Sequence, residues 1–227
     1  MAQTTAGDLT QGPVLKTMMK FAVPMILGNL LQQCYNVADT LIVGQFIGSD
    51  ALAAVGSAYT LMTFLTSILL GLCMGSGTVF SIRFGQKDPA GLKEAMWTSF
   101  VLIAGLAILL NLITFAGVDL IIRLLQVPLE IHEMMREYLV VIFTGILATF
   151  LYNYFASLLR AVGNSITPLI FLAFSAVLNI VLDLWFVIGL KRGVAGAAEA
   201  TVISQYVSGI GLMAYTWIRF PQCRFSC

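Results

Sequence analysis

The chain has 227 residues, of which 59% are hydrophobic and only 10% charged, and its formal net charge is +1. Ordinary soluble domains carry roughly 25% charged residues, and a soluble surface cannot keep this much apolar side chain from water. Composition therefore excludes a soluble globular protein and a disordered chain. The lack of a basic excess excludes a nucleic-acid binder, which leaves a polytopic membrane protein.

The first residues are polar up to about Pro13 and lack the basic region, short apolar stretch and small-residue cleavage site of a signal peptide. Residues 1–15 read as a cytoplasmic tail. A crossing helix needs about 20 apolar residues, and six such segments follow within 16–219. The first covers about 21–47 and holds one charge, Asp39. The second, 53–82, and the third, 95–118, hold none. Residues 121–137 mix Ile121, Ile122, Leu124 and Leu125 with Glu130, His132, Glu133 and Arg136, as an interfacial loop or short helix does. The fourth segment covers about 138–159. The fifth, 166–190, contains Asp183, and the sixth, 197–218, has Glu199 near its start. Residues 220–227 read as the start of a linker or a tail. The expected fold is an all-α bundle of six transmembrane helices with short connections.

Lys and Arg set the orientation. With the N-terminus inside, the inner segments carry Lys16, Lys20, Arg83, Lys87, Lys93, Arg160, Arg219 and Arg224, against Arg123, Arg136, Lys191 and Arg192 outside. Both termini are therefore expected in the cytoplasm of a multi-pass plasma (bacterial inner) membrane protein. Cys223 and Cys227 then lie where thiols stay reduced, and Cys34 and Cys73 lie within apolar runs. With His132 the sole histidine, no Cys/His cluster suggests a metal site.

Charges within a bilayer are costly and usually functional. In the first segment Asn29, Gln32, Gln33, Asn36, Asp39 and Thr40 recur every three or four residues and form one stripe. Such a stripe faces a partner helix or a wet cavity rather than lipid. In the fifth segment Ser175, Asn179 and Asp183 stack at intervals of four, with Asn179 and Asp183 about 6 Å apart along the axis. The first and fifth segments run in the same direction, so Asp39 and Asp183 fall at one depth in the outer half. Thr201, near the start of the sixth, falls there too. Two carboxylates, an amide and a hydroxyl suit a hard cation such as Na⁺, and two carboxylates brought together can instead hold a proton. The alternative is two unrelated aspartates that reach the interface or sit in loops.

Smaller features divide between packing and function. Pro24 and Pro168 lie near inner helix ends, where they kink or start helices. Gly71, Gly75, Ser76 and Gly77 read as a close-packing patch rather than a hinge. Met18, Met19 and Met25 read as core or lipid-facing. Tyr152, Tyr154, Phe155 and Trp185 are candidates to line a drug pocket, and Trp185 equally suits the interfacial belt.

Three separated motifs carry a resemblance. The first segment reads P-x-I-x3-L-L-x3-Y-N-V-A-D-T-x2-V-G-x2-I-G, followed by A-L-A-A-V-G. Residues 158–168 read L-L-R-A-V-G-N-S-I-T-P. The fifth and sixth segments contain N-I-V-L-D and G-V-A-G-A-A-E-A-T. Together these resemble the N-terminal half of a multidrug and toxic compound extrusion (MATE) transporter, from about Pro13 to Arg219. The resemblance implies a secondary antiporter with two six-helix lobes, exporting cationic, often aromatic compounds in exchange for H⁺ or Na⁺. It implies no cofactor beyond the coupling ion and no enzymatic activity. It also implies an ion site matching Asp39, Asn179, Asp183 and Thr201, with Tyr138 and Asn153 as matches for further members of a polar pocket, to which the stripe of the first segment adds Asn36 and Gln33.

The resemblance covers one lobe, and alternating access needs two. The partners expected are therefore the lipid bilayer, a cationic small molecule, and a C-terminal lobe or second chain; the chain is a fragment, half of a pair or a remnant. Three other functions compete. A lipid-linked precursor flippase needs basic residues in its cavity, and no Lys or Arg falls in a segment core. An intramembrane aspartyl protease would use a G-x-G-D motif, whereas Asp39 follows Asn36-Val37-Ala38 and Asp183 follows Ile180-Val181-Leu182. A non-transporting assembly subunit is the third.

Overall fold

The computed structural model describes residues 13–220. The tails expected at 1–15 and 220–227, with Cys223 and Cys227, fall almost entirely outside them. Among the described residues there are helices and no strands.

Helix α1 (Val14–Phe46) starts after the extended Pro13 and carries Pro24 inside it. A two-residue turn, with Gly48 at φ 122°, leads to α2 (Ser49–Gly85). That φ lies where side chains are strained, so glycine fits the turn. Helix α3 (Pro89–Ala116) has Pro89 in its first turn, and the Asp88 carboxylate caps it by accepting from the Gly91 N–H at 2.9 Å. Arg83 pairs with the same carboxylate at 3.2 Å. A short α4 (Val118–Leu124) and a 3-10 turn (Leu129–Ile131) precede α5 (His132–Phe143). Helix α6 (Gly145–Ala161) follows, then α7 (Ile166–Asp183), a π-helical turn (Leu184–Gly189) and α8 (Gly193–Arg219).

Helices α2, α3 and α7 with its π extension are each long and apolar enough to cross a membrane. The pair α5–α6 forms a fourth if taken as one span bent by 40°. Helices α1 and α8 have the length, 33 and 27 residues, but carry polar groups from Gln32 to Asp39 and at Glu199. These six rods stand where six apolar segments are expected, with three differences. The fourth segment is broken at Thr144, where the hydroxyl bonds the Val141 carbonyl at 2.6 Å. The fifth changes from α to π winding directly after Asp183. The mixed stretch 121–137 is largely helical, and Arg136 there pairs with Asp119 at 3.0 Å.

The core gathers around α6, which packs on α2, α3 and α8. Tyr154 and Phe155 are fully buried there with Phe80, Phe143 and Ile146. Phe100 lies 5.3 Å from the Tyr154 ring and Phe80 lies 5.9 Å from it, both edge-on, as ring quadrupoles favour. The Tyr154 hydroxyl donates to the Met96 carbonyl at 2.6 Å. Tyr154 and Phe155 are thus core residues and do not line a pocket. On the outside, Leu102, Leu112, Phe174 and Val177 are each more than half exposed. An apolar outer surface on a packed core is what lipid as solvent selects.

Candidate functional site

The site is built from α1, α5, α7 and α8. Ser175, Asn179 and Asp183 lie on the buried face of α7, with Asp183 fully buried. That face meets α1 on one side and α8 on the other. Asp183 is the last α-helical residue before the π turn, and π turns inside helices often sit at functional sites because they re-aim side chains.

Asp39 from α1 reaches Asp183 closely enough for the two carboxyl groups to interact directly. No hydrogen bond of ordinary geometry closes on Asp39 Oδ1, on either Asp183 oxygen or on Asn179 Oδ1, all of which are buried. Four buried oxygens without partners in one place are expensive. The Asn179 amide donates to Thr201 Oγ1 at 3.3 Å, and that hydroxyl donates to the Ala197 carbonyl at 3.1 Å. Tyr138 of α5 is buried within electrostatic range of Asp39, Asp183 and Tyr35. Glu199 stands apart, paired with Arg192 at 2.7 Å.

A cavity of about 40 Å³ adjoins this cluster, room for water or a small ion. Asn179, Thr201, Asn153 and Gln32 line it, with Tyr35 and Gln205. Asn153 anchors its amide on the Thr149 carbonyl at 2.8 Å, and Thr149 donates to Gln205 Oε1 at 3.1 Å. Gln33 and Asn36 bond each other at 3.3 Å, Gln33 is exposed, and neither lines the cavity. The polar stripe of α1 therefore divides: Gln32, though exposed, lines the cavity and Asp39 is part-buried beside Asp183, whereas Gln33 and Asn36 do not line it.

Asp39, Asn179, Asp183 and Thr201 are brought together, and Tyr138 and Asn153 join them. Tyr35, Thr149 and Gln205 were missed. Two had a signal in the spacing, since Tyr35 precedes Asp39 by four residues and Gln205 follows Thr201 by four. Among the described residues no three acidic, histidine or cysteine side chains gather as a metal cluster. The donor set is two carboxylates with an amide and a hydroxyl. Such oxygens can hold a hard monovalent cation or share a proton.

The glycine patch divides as well. A Cβ on Gly77 would touch Ser157 of α6 at 3.4 Å, whereas Gly71 and Gly75 face open space. Gly77 is thus a close-packing residue, and the other two are not. Tyr152 lines the cavity, with its hydroxyl on the Pro168 carbonyl at 3.0 Å. Trp185 is 58% exposed, away from any pocket.

Comparison with known proteins places this arrangement. The MatE family model matches residues 24–185. The chain is 38% identical over 203 residues to the probable multidrug resistance protein YpnP of Bacillus subtilis, covering 89% of this chain and 46% of that protein. It is 30% identical over 211 residues to the multidrug export protein MepA of Staphylococcus aureus, covering 90% of this chain and 46% of MepA. A solved outward-facing conformation of a multidrug resistance MATE transporter superposes with a TM-score of 0.88 at 26% identity, over 99% of this chain and 49% of the other. The chain thus spans about half the length of the relatives it matches. With an all-α membrane lobe, that match and the residues it covers, the chain belongs to the MatE family of multidrug and toxic compound extrusion transporters.

Proposed function

We propose that this lobe is the ion-coupling half of a secondary antiporter that exports cationic, often aromatic compounds in exchange for H⁺ or Na⁺. The observation that carries the reading is the Asp39–Asp183 pair, contributed by two different helices, in which both Asp183 oxygens and Asp39 Oδ1 are buried without a hydrogen-bond partner among the described residues. A carboxylate pair of this kind is costly when empty and stabilised when a cation binds. Its occupancy therefore depends on how α1 and α7 sit against each other, which is how an ion biases a conformational equilibrium. The protein resides in the plasma membrane with its N-terminus inside, as the Lys/Arg asymmetry supports. A second lobe, on the same or another chain, completes the substrate cavity.

Drug efflux from membrane vesicles tests this, using full-length protein under an imposed Na⁺ or H⁺ gradient. Asp39→Asn and Asp183→Asn each abolish gradient-driven export while inserting at wild-type levels. Export in both variants at the wild-type rate overturns the assignment of these residues.

A further inference from the structure

A second cavity, of about 160 Å³, lies near the end of the lobe where α1 carries Pro24 and α7 begins. Its chemistry is opposite to that of the carboxylate site. Arg160, at the end of α6, lines it, and no Asp or Glu does. The guanidinium is part-buried and makes no ion pair or hydrogen bond among the described residues. Arg160 stands at the end of α6, and no acidic side chain lining the cavity balances its charge.

Two serines face the same cavity. Ser157 is 8% exposed and Ser165 is 6% exposed. Among the described residues neither hydroxyl has a hydrogen-bond partner, whereas Ser57, Ser67 and Ser81 of α2 each donate to the carbonyl four residues back, as Ser81 does to Gly77 at 3.0 Å. Ser165 also occupies the N-cap position of α7 and does not use its side chain as a cap. The start of α7 is capped by its neighbour instead, since Asn164 Oδ1 accepts from the Thr167 N–H at 3.1 Å. Asn29 of α1 and Cys73 of α2 complete the wall.

We propose that this cavity is a binding site for a phosphate group. Arg160 supplies the charge and a forked pair of donors, which suit a tetrahedral oxyanion. Ser157 and Ser165 donate to its remaining oxygens. The phosphate is either the headgroup of a phospholipid or a soluble phosphate, since both present the same oxygens. Fifteen residues of α7 separate Pro168 from Asp183, about 22 Å of helix. The Arg160 end is thus far from the carboxylate pair, although Gln32, Tyr152 and Asn153 line both cavities, and it does not depend on the antiport reading.

The test uses the full-length protein purified in detergent. Equilibrium binding of radiolabelled inorganic phosphate probes the soluble source, and native mass spectrometry after mixing with phosphatidylglycerol probes the headgroup. The wild type is expected to hold about one ligand, with at least tenfold weaker binding in Arg160→Gln and substantial recovery in Arg160→Lys. The double variant Ser157→Ala/Ser165→Ala weakens binding several-fold and keeps the fold, because it removes only two hydroxyls. Phosphate binding that depends on Arg160 assigns the soluble source. Retained lipid that depends on Arg160, without phosphate binding, assigns the headgroup. Absence of binding to the wild type by both probes overturns the proposal, and so does binding unchanged in both the Arg160→Gln and the double serine variants.

Discussion

Helices α1 and α6 are both long members of one lobe, yet they are built on opposite terms. On α6, ten of the residues from Gly145 to Leu159 are buried, and its aromatic side chains interlock with Phe80 and Phe100. On α1, only Ile42 and Val43 are buried among the described side chains, and Leu15, Leu30, Val37 and Leu41 are each more than half exposed. Helix α6 is the axis on which α2, α3 and α8 pack; α1 is held chiefly by α7. Within this lobe the helix that carries Asp39 thus has less packing than α6 to lose when it shifts. Elements that move are drawn from regions with few buried contacts, and α1 fits that condition where α6 does not.

The contrast predicts where substitutions hurt function and where they hurt stability. The largest effect is expected from Asp39→Asn on α1: gradient-driven efflux falls to the uncoupled background, while the thermal unfolding midpoint stays at or above that of the wild type. A large loss of stability with partial transport would reverse the contrast. Next comes Tyr154→Ala on α6, which removes a buried ring and its bond to the Met96 carbonyl. This should cost about 3–5 kcal/mol, read as a lower unfolding temperature in detergent and less folded protein by size exclusion. Tyr154→Phe isolates the hydroxyl and should cost about 1 kcal/mol.

Smaller effects test the helix contacts directly. Gly209 of α8 approaches α6 so closely that a Cβ would lie 3.1 Å from the Ala148 carbonyl oxygen and 3.3 Å from the Tyr152 nitrogen. Backbone cannot give way as a side chain does, so Gly209→Val should destabilise by about 1–3 kcal/mol. Gly71 of α2 faces open space. Gly71→Ala should therefore raise stability by up to about 1 kcal/mol, since only helix propensity is at stake. Smallest of all, Asp119→Asn breaks an ion pair whose side chains are both more than half exposed. It should shift stability by less than about 1 kcal/mol, and less still in high salt.

Much of this lobe was legible before any coordinates. Apolar runs of membrane-spanning length follow from composition, and Asn179 and Asp183 share a face because they are one helical turn apart. The depth argument, which needs only run lengths and direction, put Asp39, Asp183 and Thr201 at one level. The same periodicity grouped Gln33 and Asn36 with Asp39, and neither of them lines the cavity. Tyr154 and Phe155 were open to reading as pocket residues, since an aromatic run does not disclose which rings a neighbouring helix covers.

Sequence by itself determined the membrane class, the helical segments and the two intramembrane aspartates, because hydropathy and helical period are properties of one stretch of chain. Only the tertiary structure decided that Asp39 meets Asp183, that Tyr35, Tyr138 and Gln205 surround them, and that the fourth segment bends at Thr144. It alone set Arg160 beside Ser157 and Ser165 in a cavity without an acid. Each of these depends on which faces of separate helices are turned together. That is fixed by the packing of all the helices at once, and no single segment encodes it.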